Sequence, residues 1–206
     1  MTISLPAVII CSYLLLVFAR FLLQGLNLRN LHRHGTEVPA GFEGRIDEAA
    51  LARATAYTVE QSRLGLVESI CETILLLGFL FGGLLGRYDS LVASLTGSFV
   101  ASGVMFFLGL TLLQTVIDIP FSLFLTFRVE ARFGFNTMTP RLWLADLFKS
   151  TAITALLVTI VTAGTFYLVQ TFPRSWWLLV WLFLAAVSLF VMYLSPYVIE
   201  PLFFKF

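Results

Sequence analysis

The sequence predicts an all-α integral membrane protein with about five transmembrane helices, and three observations carry that expectation. Apolar residues make up 59% of its 206 residues and charged residues 12%, with a mean hydropathy of +0.92; a soluble domain has about 45–50% and about 25%. Apolar runs near the ~20 residues that a spanning helix needs recur along the whole chain. Runs such as 73–86 and 176–194 do not alternate polar and apolar positions, as barrel strands would over ~10 residues. In hydrocarbon the backbone must be satisfied internally, so the runs are helices.

The first span covers residues 3–26 and opens without a basic flank, so it reads as a retained span and not a cleaved signal. Arg20 falls near its end, where it can snorkel to the interface. A polar stretch follows over 27–63. Its first part, RNLHRHGTEVPAGFEG, reads as loop; the rest is helix-forming and starts at a capping Asp47. Span two covers 64–86, and span three 95–127 with Pro120 inside it, where a kink is expected near Asp118–Pro120. Gly134 marks a helix end in the loop 128–141, and Thr139–Pro140 restart a helix as N-cap and first helical residue. Span four covers 142–170. Span five covers 176–194 and is expected to end at Pro196 and Pro201. All of it reads as a single transmembrane domain, 1–206.

Orientation follows from the basic residues of the loops. The first and third loops hold Arg29, Arg33, Arg45, Arg53, Arg63, Arg128, Arg132, Arg141 and Lys149, and the opposite side only Arg87 and Arg174. The N-terminus is therefore expected outside, and the C-terminus with Lys205 in the cytoplasm. The formal net charge of +1 gives no reason to invoke nucleic acid.

Residues that could carry chemistry are few. Glu68, Glu72 and Asp118 lie in or beside apolar segments, where an ionised carboxylate is costly and needs a protein interior, a water-filled cavity or a basic partner. Two readings stay open for them: solvated structural groups near an interface, or the lining of a polar cavity. The segment FRVEARFGFNTMTPRLWLADLFK is the densest in polar groups, with Glu130 and Arg132 at the end of span three and Asp146 and Lys149 three apart on span four. His32 and His34 have no further ligand at a useful spacing, and Cys11 and Cys71 read as small apolar residues. No metal site, catalytic residue or cofactor is readable: neither H-E-x-x-H, nor G-x-S-x-G, nor a phosphate-binding loop occurs. Gly78, Gly82 and Gly86 form a stripe of small residues that reads as helix packing.

One segment, IPFSLFLTFRVEARFGFNTMTPRLWLADLFK, resembles the N-terminal membrane region of the CAAX prenyl proteases, integral-membrane zinc metallopeptidases. Their pattern is a proline, then Y-x-T-F-x-I-E-x-x-x-G-F-N-x-x-T, an aromatic, and D-x-x-K. Here it is matched at Pro120, Thr126, Phe127, Glu130, Gly134, Phe135, Asn136, Thr139, Asp146 and Lys149. The tail is similar too, at Pro201, Leu202, Phe203 and Lys205, and AYTVEQSRLGLVES resembles the family's approach to its second span. Leu125, Val129 and Phe204 depart from the pattern.

The resemblance implies the membrane domain of a zinc metalloendopeptidase, contributing to the wall of an intramembrane chamber and not catalytic alone. Glu68, Glu72 and Asp118 then become candidates to line the chamber, and Glu130, Asn136, Thr139, Asp146 and Lys149 to form its rim. Zinc would belong to the full-length enzyme, held by an H-E-x-x-H region absent from this chain, which reads as an excised domain or a truncated relative. Implied partners are membrane lipid, a C-terminal metallopeptidase domain, and a peptide or membrane-protein substrate. Compact loops favour a bacterial inner membrane over the endoplasmic reticulum. A small transporter or channel, or a membrane scaffold, remains as the alternative.

Overall fold

The computed structural model describes residues 5–38 and 47–203, and its long helices contain the apolar runs. In order the elements are α1 (Leu5–His34), α2 (Glu48–Phe81), α3 (Leu84–Leu95), α4 (Phe99–Phe124), a π-helical segment (Leu125–Glu130) and α5 (Ala131–Phe133). Then come α6 (Pro140–Thr171), α7 (Trp176–Leu194), a second π-helical segment (Ser195–Ile199) and α8 (Glu200–Phe203). Among the described residues there is no strand. Five helices are long and apolar enough to cross a membrane: Ala7–His34, Glu48–Phe81, Phe99–Phe133, Pro140–Thr171 and Trp176–Phe203. Pro39, Arg45, Phe204 and Lys205 lie outside the described residues.

The helices form two compact units: Met1–Leu76 with Pro120–Thr137, and Leu77–Ile119 with Met138–Phe206. In the first unit α1 continues past residue 26 to His34, over residues expected to be loop. Residues 27–34 contain neither glycine nor proline, so nothing in them breaks the helix. Gly35 ends it, its N–H donating to Leu31 O at 2.9 Å. A Cβ on Gly35 would collide with Leu31 O and with Thr55 Cγ2 of α2, so only glycine allows that approach. Arg20 does not merely snorkel to an interface: its guanidinium donates to Ser69 Oγ of α2, and Ser69 is buried.

In the second unit the expected end of α2 moves. The helix stops at Phe81, and Gly83, at φ 79°, turns the chain into α3, a twelve-residue helix absent from the sequence expectation. Gly86 lies inside α3 and ends nothing. Tyr88 of α3 packs against Phe79 and Phe106, and its hydroxyl donates to Phe106 O at 2.8 Å. Burial holds that phenol above its ordinary pKa of 10.0. The glycine stripe does not carry helix packing: a Cβ on Gly78 or Gly86 would meet nothing, and one on Gly82 only the backbone of Gly78. Helices approach closely elsewhere, at Gly103 beneath Phe166 and Gly164 beneath Phe183, where an added Cβ would strike the ring.

Of the three prolines expected to kink or end helices, none ends one: Pro120 lies inside α4, Pro196 in the second π-helical segment and Pro201 in α8. α4 runs through Pro120 to Phe124 and then widens into π geometry. Pro196 does not end span five; it opens the second π-helical segment, which closes with the Glu200 N–H donating to Ser195 O. A π turn carries an extra residue and loosens the ladder, so the missing N–H of Pro196 is accommodated without ending the helix.

Candidate functional site

The first unit holds four of the predicted residues. Glu68 and Glu72 lie one turn apart on α2, both half-buried and neither without a partner. Glu130 closes the first π-helical segment and is half-buried. Gly134 follows α5 at φ 77°, ψ 17°, with its N–H donating to Ala131 O at 3.3 Å and the Phe135 N–H to Glu130 O at 2.9 Å. These two bonds are the reciprocal pair that ends a helix through a left-handed residue, so the G-F-N segment is a built turn. Asn136, just beyond it, is half-buried and also has a partner.

That turn is docked on the polar half of α2. The Tyr57 ring meets Phe133 and Phe135 edge-on, with centroids 5.7 and 5.0 Å away. Arg132 Nη1 donates to Glu60 Oε1 in an ion pair. Glu60, Tyr57 and Arg63 do not stand out as site residues in the sequence. No local signal could mark the ion pair, because its partners are 72 positions apart.

The second unit holds the other four. Asp118 is half-buried and accepts from Gln114 Nε2 at 2.8 Å, one turn back on its own helix. Thr139, extended at ψ 154°, accepts the Leu142 N–H on its Oγ1 at 3.3 Å, with Pro140 as the next residue. Its role is to start α6. Lys149 Nζ donates to Asp146 Oδ1 at 3.2 Å and to Leu202 O at 3.0 Å, and lies 5.7 Å from the centre of the Phe203 ring. The D-x-x-K pair on α6 and the P-L-F tail, far apart in sequence, therefore meet.

The bonds of Thr139, Asp146 and Lys149 position backbone and side chains. Among the described residues no three His, Cys, Asp or Glu side chains converge in a way that could hold a metal ion. His34 Nδ1 is 3.0 Å from Glu37 Oε2, and His32 Nε2 is 3.3 Å from Arg63 Nη2. The donors here do not fit zinc.

Comparison with known proteins gives a consistent result. Residues 27–205 match a family described as CAAX prenyl protease N-terminal, five membrane helices. The mouse CAAX prenyl protease 1 homolog is 28% identical, aligned over 97% of this chain and 43% of its own length. The Arabidopsis thaliana homolog is 26% identical over 82% of this chain and 42% of its own. The chain thus spans less than half the length of these relatives. The crystal structure of S. mikatae Ste24p superposes with a TM-score of 0.79 at 23% identity, over 90% of this chain and 45% of that one, a likeness of fold.

Proposed function

This chain belongs to the CAAX prenyl protease family through its N-terminal, five-helix membrane region, and from that premise we propose that it forms part of the wall and rim of an intramembrane chamber serving a zinc metalloendopeptidase. The metal and the water-activating base would come from a metallopeptidase domain beyond the residues of this chain. The observation that carries this reading is the meeting of separate family motifs around Lys149, which ties α6 to the P-L-F segment. A side chain that bonds a backbone carbonyl and an ion partner together serves positioning. Glu130, Asn136, Thr139 and Asp146 take rim roles of the same kind. Glu68, Glu72 and Asp118 are the polar groups of the wall, and their partly buried setting supports that role. Compact loops favour a bacterial inner membrane, although the mouse and Arabidopsis relatives are eukaryotic.

The test reconstitutes the purified chain in lipid and supplies zinc and a prenylated peptide. No cleavage is expected from the chain alone. Cleavage is expected once a family metallopeptidase domain carrying H-E-x-x-H is co-expressed with it, and Lys149→Ala should reduce it. Zinc-dependent proteolysis by the chain alone would show that it is more than a wall. Dissipation of a pH gradient by the reconstituted chain, lost in Glu68→Gln and Glu72→Gln, would favour a transporter instead.

A further inference from the structure

Within the first unit, α2 and the first π-helical segment enclose an open groove of about 830 Å³. Its lining has a strong polarity gradient. Val67 and Leu64 of α2, with Phe124 and Phe127 across from them, are apolar; Arg63, Arg128 and Arg132 lie at the polar ends of the same two helices. Three guanidinium groups face a single carboxylate, that of Glu60. Glu60 is taken by Arg132, whose side chain is still 70% exposed. Arg63 reaches only the His32 ring, and Arg128 is exposed and in no ion pair among the described residues. The groove therefore has cationic charge in excess of what its own acid neutralises.

From this we propose that the groove binds the headgroup of an anionic phospholipid from the surrounding leaflet. The phosphate would be held by Arg63 and Arg128, and the upper acyl chains laid against Val67, Phe124 and Phe127. Planar guanidinium groups match phosphate oxygens in a bidentate way. Basic pockets between spanning helices are where anionic headgroups dock, and this pocket lies at the change from apolar to charged residues on both helices. The volume is within the ~300–1,000 Å³ usual for small-molecule sites. A soluble phosphate ester would suit the arginines but leave the aromatic and aliphatic walls without a counterpart, so the lipid is the better occupant. The basic loops that the sequence assigns to the cytoplasm put the site in the inner leaflet.

The test uses the whole chain in mild detergent, offered either phosphatidylglycerol or phosphatidylcholine, with native mass spectrometry counting retained lipid. A preference of roughly tenfold for the anionic lipid is expected, falling with added salt. Arg63→Gln with Arg128→Gln should abolish the preference and leave phosphatidylcholine retention unchanged. Arg87→Gln with Arg174→Gln, outside the groove, should have no effect. Should the glutamine pair unfold by circular dichroism, the Lys pair keeps the charge and loses the planar fork, and is expected to bind more weakly than wild type. Equal retention of both lipids by wild type, or full preference in a folded glutamine pair, overturns the proposal. A wild-type preference that salt does not reduce overturns it as well. Displacement of bound lipid by millimolar inorganic phosphate would assign the groove to a soluble anion, which also overturns it.

Discussion

Single residues show how closely local chemistry determines this fold. Gly134 adopts φ 77°, which costs an L-residue about 1–2 kcal/mol. Gly134→Ala should therefore destabilise the protein by about 1–2 kcal/mol, read as a lower midpoint of denaturant unfolding in detergent, with Gly134→Asn intermediate because asparagine tolerates that region. A midpoint unchanged in the alanine variant would mean the turn relaxes to another conformation. This position was legible in the sequence, as were Thr139 and Pro140, because a glycine turn and a threonine cap are set by neighbouring atoms. The Glu60–Arg132 pair and the Lys149–Leu202 bond were not, since each joins residues more than fifty positions apart. The roles expected for Glu68, Glu72 and Asp118 rested on the cost of a carboxylate in lipid. That cost says a partner is needed without naming it, and for Asp118 the partner is Gln114 of the same helix.

Among the elements, the long spans were readable and the irregular ones were not. Hydropathy over twenty residues identifies a spanning helix, but α3 is only twelve residues long and the π-helical segments have no sequence signature. Pro196 looked like a stop because the missing N–H was counted against an α-helix, where no extra residue exists to absorb it. The first π-helical segment also sets the register of the residues C-terminal to it. Deleting Leu125 would return one residue to α geometry and rotate Arg128 and Arg132 by about 100° about the axis. The measurement is cross-linking by a short bis-maleimide of a Glu60→Cys/Arg132→Cys pair. It should be efficient in the chain with Leu125 present and several-fold weaker once Leu125 is deleted. Equal cross-linking would show that the π geometry is not what brings the two helices' polar ends together.

For the whole molecule, the apolar side chains are mostly exposed. Val59, Val92 and Val129 are the buried apolar side chains among the described residues, whereas leucines, phenylalanines and tryptophans such as Leu16, Phe18, Trp177 and Trp181 are more than 60% exposed. In water such a surface would aggregate; in a bilayer it is the contact with acyl chains. Composition foretold this. It could not foretell that the helices group into two compact units. Orientation is expected from the basic loops and can be measured. A cysteine at exposed Glu37 should label from the cytoplasmic side alone, and one at exposed Ser175 from the opposite side alone. The reverse pattern would invert the topology and move the arginine groove to the other leaflet.

The bond from Arg20 to Ser69 has a consequence for how the protein is made. A lone arginine well inside a spanning helix raises the apparent insertion free energy by up to about 2.5–3.5 kcal/mol, and its acceptor is 49 residues further along the chain. Ser69 is synthesised several seconds after Arg20, so α1 is made before its acceptor exists. We predict that α1 is poorly integrated by the insertion machinery on its own and well integrated when α2 follows, as glycosylation mapping of the two lengths would report. Arg20→Leu should erase the difference, and equal insertion of both wild-type lengths would exclude it. Integration of α1 would then wait on α2, and the two helices would enter the membrane as a pair.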